Sequence, residues 1–268
     1  MPGVRAAHSG HRLVCASPAK AWRPPVAGVT MGGNQIPFSM PRTPHFTPAL
    51  FDFLRALAAN NNRDWFLANK PRYERDVRDP MLRFIGDFGA RLRKISPHFV
   101  ADPRPNGGSL FRIHRDTRFA KDKRPYKTNV GAHFRHTKGG DAHAPGFYLH
   151  LAPDEVFGGG GLWRPETETL SLVRDAIVDQ PAVWRRSISG KAFTASCTLA
   201  GESLKRPPAG YDAAHPLIEV LKRKDFVAIT NFDEAVACTP DFLDRYTAVC
   251  RASAPLIGFL TKSVGLAW

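Results

Sequence analysis

The chain has 268 residues, 43% hydrophobic and 23% charged, with 22 Gly and 23 Pro, a globular composition that excludes a fibre or a wholly disordered chain. No apolar run reaches the roughly 20 residues that span a bilayer, because the richest stretch is interrupted by Pro255 and carries Lys262. The formal charge is +14, and residues 104–138 hold +8 of it, ten Lys and Arg against Asp116 and Asp122, so a local field that attracts anions is expected there.

Residues 1–45 contain five basic residues and no acid. They show no period of 3.6, and Pro18, Pro24 and Pro25 interrupt any amphipathic helix of the kind a transit peptide needs. The segment is expected to be a disordered leader or an over-extended translation start, with Met31 or Met40 as initiator. Residues 46–268 then form one domain, since no linker-like interruption divides them.

Order is expected from Thr47, an N-cap followed by Pro48 at the first helical position, with Leu50, Phe51, Leu54, Leu57 and Ala58 at helical spacing. Asn60, Asn61 and Asn62 end that helix and cap the next, which carries Trp65 and Phe66. A third helix buries Tyr73, Val77, Phe84, Phe88 and Leu92 and is broken or kinked at Pro80. A loop over 96–109 leads to short alternating runs. Phe111 and Ile113 face one way and Arg112 and His114 the other, as on a half-buried strand. Further strands are predicted at 130–135, 147–152, around Val156, at 192–198 and at 226–230. Helices are predicted around Leu170, Val173 and Ile177 and around Leu217, Val220 and Leu221. A last helix is capped by Thr239, with Pro240 in its first turn and Phe242, Tyr246, Val249, Leu256 and Leu260 as its core stripe. Helices first and strands afterwards point to an α+β fold with a mainly antiparallel sheet flanked by helices.

The most distinctive stretch runs Phe111-Arg112-Ile113-His114-Arg115-Asp116-Thr117-Arg118-Phe119-Ala120-Lys121-Asp122-Lys123-Arg124-Pro125-Tyr126-Lys127-Thr128. It closely resembles the bacterial and fungal family filed as domain of unknown function 2461. The likeness extends over most of residues 46–260, through Asn61 to Trp65, Gly146 to His150, Gly159 to Trp163, Leu204 to Pro208 and Gly210 to Asp212. In that family the place of His114 is often held by Tyr and that of Ala120 by Ser. The resemblance implies no established activity and no cofactor.

The residues themselves indicate a basic cassette. Phe119, Pro125 and Tyr126 interleave with the charges, so the cations are expected to be held in place. The candidate anion-binding residues are Arg112, Arg115, Arg118, Lys121, Lys123, Tyr126, Lys127 and Thr128. Guanidinium groups grip phosphate or carboxylate bidentately, lysine acts as a point charge and threonine donates a hydroxyl. Asp116 and Asp122 are either structural ion-pair partners of these cations or members of the site.

Gly158, Gly159, Gly160 and Gly161 form a possible glycine loop before a helix near Pro165. They match neither a Walker A motif nor a dinucleotide fingerprint, and a strand-end turn or bulge beside Trp163 is the favoured reading. His133, His136, His143 and His150 with Asp141 raise a metal site, but His133 and His136 fall on opposite faces of a strand and no metal is expected. Trp65, Tyr73 and Trp163 read as core or cleft-wall aromatics, and no catalytic residue is identifiable.

A small phosphorylated or otherwise anionic ligand is the expected partner. A nucleic-acid-binding module and a protein that presents its basic face to an acidic partner are the alternatives. Cys15, Cys197, Cys238 and Cys250 form no CxxC pair, so a reducing, cytoplasmic setting without membrane attachment is expected.

Overall fold

The computed structural model describes residues 43–139 and 144–268. Residues 1–42, with Met31 and Met40, and the pair Asp141 and His143 lie outside the described residues, whereas the end of the expected leader is ordered, with His45 Nε2 2.9 Å from Asp87 and the His45 carbonyl accepting from Arg83 at 2.9 Å. Helix α1 (Pro48–Ala59) begins with proline at its first turn, as expected. The α2 helix (Arg63–Ala68) is capped by Asn62, whose side-chain oxygen accepts from the Trp65 N–H at 2.9 Å. Helix α3 (Lys70–Tyr73) widens into a π-helical turn (Glu74–Arg78) and continues as α4 (Asp79–Arg93). The break expected at Pro80 takes this form. A proline cannot donate to the preceding turn, and the loosened ladder just before it accommodates the ring.

Five strands follow, β1 (Val130–Arg135), β2 (Gly146–Ala152), β3 (Glu155–Leu162), β4 (Thr198–Ala200) and β5 (Phe226–Phe232). They form one sheet in the order β1-β2-β3-β5-β4 with every pairing antiparallel. Between β3 and β4 lie α5 (Thr167–Asp179), α6 (Pro181–Ser189) and α7 (Lys191–Ser196). Helix α8 (Ile218–Leu221) precedes β5, and α9 (Glu234–Ala237) and α10 (Phe242–Ser263) close the chain. The α+β fold with helices preceding an antiparallel sheet is therefore the observed one.

Two predicted elements are corrected. Residues 191–196 are helical, not extended, and only Thr198–Ala200 pair with the sheet. Phe193 is the buried side chain of that turn, and Thr194 turns its hydroxyl back onto the Gly190 carbonyl at 3.3 Å, a helical contact that overrides the β propensity of the threonines. Thr239 does not cap the last helix. Its hydroxyl donates to the Val236 carbonyl at 2.6 Å and closes the turn after α9, and α10 starts beyond Asp241.

The strand alternation decides where the helices go. Ala132, Phe134, Phe147, Leu149, Leu151, Phe226 and Ala228 are fully buried on one face. Phe134 meets Phe88 of α4 and Tyr246 of α10 there, and Trp184 of α6 meets Phe226 and Phe259. Helix α10 lies directly on β3: a Cβ at Gly158 would stand 2.7 Å from the Tyr246 ring and one at Gly160 2.5 Å from Ile257. The opposite face carries Tyr148, His150, Phe157 and Ile229, all half-buried. In register across the sheet, one row reads His133, Tyr148, Gly159, Ile229, Thr198, and the next Gly131, His150, Phe157, Asn231.

Candidate anion-binding site

The cassette is an irregular hairpin laid along the free edge of β1. Its first arm joins the strand through Phe111 N–H to the Gly131 carbonyl at 3.0 Å and His133 N–H to the Ser109 carbonyl at 2.8 Å. The arms join each other through Arg115 N–H to the Pro125 carbonyl and Lys127 N–H to the Ile113 carbonyl, both 2.8 Å. The predicted alternation is corrected: Ile113 is buried in the core and Arg112 and His114 are exposed, but Phe111 is half-buried on the other face beside Tyr148 and His133, because the arm is irregular and pairs only through single bridges, Leu110 with Ala132 and His114 with Tyr126.

Asn61, in the turn between α1 and α2, fixes the second arm. Its amide donates to the Tyr126 carbonyl at 3.0 Å and its oxygen accepts from the Tyr126 N–H at 3.1 Å. The Tyr126 ring is buried and stacks on Phe66 at 4.1 Å, so this candidate site residue serves as the anchor of the cassette. Asn61→Ala removes both bonds and leaves two backbone groups unpaired. We expect a loss of about 1–3 kcal/mol, measured by urea denaturation.

Three of the six predicted cations, Arg115, Arg118 and Lys123, are used inside the hairpin tip. Arg118 donates to both oxygens of Asp116 at 2.7 and 3.0 Å, and these bonds hold the Asp116 carboxyl down at about 2. Arg124 forks onto Asp122, which also accepts from Arg115 at 2.6 Å, and the two guanidinium groups lower the Asp122 carboxyl as well. Lys123 donates to the Thr117 carbonyl at 2.9 Å. Asp116 and Asp122 are thus structural partners. Lys121 is exposed, and Phe119, 96% exposed, stands at the tip with the Arg118 guanidinium 6.0 Å from its ring.

Arg112 and Lys127 differ from the rest. Neither makes a salt bridge among the described residues, although Arg112 stands near enough to Asp116 to help lower its carboxyl after Arg118, and Lys127 is half-buried with its ammonium 5.2 Å from the centre of the Phe111 ring. Burial, and then the Arg112 charge, push the Lys127 pKa down. Two like charges are therefore held together at the foot of the hairpin, with half-buried Thr128 next in the chain.

Phe111 links this pair to the sheet, its ring 6.0 Å from those of Tyr148 and His133. Tyr148 Oη lies 3.0 Å from His150 Nδ1, the His150 ring stacks on Phe157 at 4.7 Å, and His150 Nε2 lies 4.0 Å from Glu155. Burial lowers His150 to about 4 and raises Tyr148. Tyr148 and Glu155 were missed in the sequence and His150 was weighed only as a metal ligand, although the alternation Phe147, Tyr148, Leu149, His150 already puts two polar rings on the face away from the core.

The glycine run is neither a phosphate loop nor a turn. Gly158, Gly159, Gly160 and Gly161 sit inside β3, the central strand, paired on both sides. The run signals close packing: α10 presses on Gly158 and Gly160, while Gly159 and Gly161 have φ of +156° and +146°. It does share the sheet with the cassette, because Phe111 touches Tyr148, whose register partner is Gly159. His133 approaches Phe111, whereas His136 bonds the Ala267 carbonyl and stacks on His98, so the two histidines point into different surroundings. Tyr73 is core, packed between Phe53 and Phe66, Trp65 lies against Phe53, and Trp163 is 41% exposed under the Arg164 guanidinium.

A family model described as conserved hypothetical protein (DUF2461) matches residues 49–259. No curated protein and no solved structure matches the chain.

Proposed function

The chain belongs to the DUF2461 family of conserved hypothetical proteins, and from its own geometry we propose that it binds a small phosphorylated or otherwise anionic ligand between Arg112 and Lys127. The observation that carries this reading is the pairing of two cations, one half-buried, neither of which makes a salt bridge among the described residues. Holding Lys127 charged there costs free energy that an anion returns. Lys121 is exposed at the hairpin tip, whereas Arg115, Arg118, Arg124 and Lys123 are neutralised or tied to backbone there. They stiffen the site without contacting the ligand.

Titration with inorganic phosphate and pyrophosphate by calorimetry tests the proposal. The Lys127 pKa is depressed when the site is empty, and an anion beside it raises that pKa. Binding then takes up protons at alkaline pH, and affinity falls as pH rises toward the ordinary lysine value of 10.5. Absence of phosphate and pyrophosphate binding, or affinity that is flat across the alkaline range, overturns the reading.

One observation favours nucleic acid as a second reading. Phe119, almost fully exposed among Arg118, Lys121, Lys123 and Arg124, has the form of a stacking platform beside backbone-binding charges. Cys197, Cys238 and Cys250 are free thiols, which suits a reducing compartment such as the cytoplasm. Among the described residues no helix is long and apolar enough to cross a membrane.

A further inference from the structure

We infer that Glu155, His150 and Tyr148 form a chain that turns the Tyr148 hydroxyl into a hydrogen-bond acceptor facing the ligand, so that the bound anion is one carrying a hydroxyl or similar donor beside its charge. The inference rests on the anion-binding reading above and names the class of ligand. A neutral imidazole has one donor nitrogen and one acceptor nitrogen, while a carboxylate only accepts. Glu155 Oε2 stands 4.0 Å from His150 Nε2 and favours the proton on that nitrogen. Nδ1 then keeps its lone pair, and at 3.0 Å from Tyr148 Oη it accepts the hydroxyl proton. Tyrosine has one proton to give, and here it is already engaged. Only the lone pairs of its oxygen remain for a ligand.

The arrangement is held from several sides. Stacking on Phe157 at 4.7 Å and an interplanar angle of 8° opposes a flip of the His150 ring that would exchange its two edges. The Tyr148 hydroxyl rests over Gly131, where a Cβ would stand 2.5 Å from Oη. Phe111 lies between the two parts of the site, with the Lys127 ammonium 5.2 Å from its ring centre and the Tyr148 ring 6.0 Å away. A bare phosphate satisfies the cations and leaves the acceptor unused. A phosphate ester of a polyol satisfies both. No bond is made or broken in this scheme, and His150 and Glu155 are positioning residues that act through Tyr148.

Two phosphate monoesters of similar size, glycerol 3-phosphate and n-propyl phosphate, separate the contributions. The wild type is expected to bind the glycerol ester about tenfold more tightly, the worth of one well-placed hydrogen bond. In Tyr148→Phe the glycerol ester falls to the level of the propyl ester, whose own affinity is unchanged. Equal binding of the two esters by the wild type overturns this inference and leaves the anion reading standing. Failure of both esters to bind overturns the anion reading and this inference with it. A ligand-free readout stands beside these: 15N shifts of His150 near neutral pH should show Nδ1 unprotonated and Nε2 protonated, and the opposite tautomer refutes the chain whatever the esters do.

Discussion

Gly159→Ala is expected to lower the melting temperature by about 10 °C, a loss of about 3 kcal/mol or more. Gly159 has φ +156°, and a Cβ built on it would fall on the Ala228 carbonyl oxygen. That oxygen is backbone of the neighbouring strand, so no rotamer relieves the clash. Strand β3 cannot retreat either, because β2 and β5 pair with it on both sides and α10 covers one face. Strain and overpacking each contribute about 1–3 kcal/mol at such a position. Gly190→Ala is the control: nothing lies within 4 Å of its added Cβ and its φ is −61°. Alanine there should be neutral or stabilise by about 0.4–1 kcal/mol through the unfolded state. Thermal melts of the two variants decide the matter, and an unchanged Gly159→Ala would contradict the central position of β3.

Arg112→Ala with Lys127→Ala is expected to weaken phosphate binding by about 100-fold or more, since each charge-assisted hydrogen bond is worth about 1.5–3 kcal/mol. The same double variant separates the two functional readings. If the cassette bound single-stranded nucleic acid through about six phosphates, log K would fall with log salt at a slope of about −4. We expect weak binding to single-stranded RNA and DNA, lost by physiological salt, and a far shallower salt dependence for phosphate, which engages two cations beside an apolar ring. Submicromolar nucleic-acid binding at physiological salt that vanishes in the double variant would make nucleic acid the primary ligand. Phe119→Ala then gives a second check, because it should weaken a stacked base and leave phosphate affinity unchanged.

The strands were legible because their two faces differ chemically. Phe147, Leu149 and Leu151 alternate with Tyr148 and His150, and Val130 to Arg135 alternates in the same way, so both periods of two survive in the sequence. The helix at Lys191–Ser196 was not, because one buried Phe193 in six residues gives no period and the threonines beside it favour a strand. The glycine run was misread for a different reason. Four glycines ordinarily announce a turn, whereas here their cause is the approach of Tyr246 and Ile257, which lie more than eighty residues away and leave no local trace.

In the candidate site, the sequence marked the basic cassette but could not rank its cations. The ranking depends on which arginines find Asp116 and Asp122, and that follows from the hairpin geometry. Asn61 clamps Tyr126 across 65 positions of sequence, a contact that no spacing rule reveals.

The position of the cassette on β1 has a consequence for how the chain behaves in a crowded solution. An uncovered sheet margin offers its N–H and carbonyl groups to any passing strand, and such recruitment starts aggregation. At one margin of this sheet β4 is only three residues long. At the other, Phe111 and His133 spend their N–H groups within the hairpin-strand contact. The segment that presents Arg112 and Lys127 is therefore also the guard on the longer margin. Loosening it to admit a different ligand would open a template for self-association, so solubility constrains how far this hairpin can be remodelled.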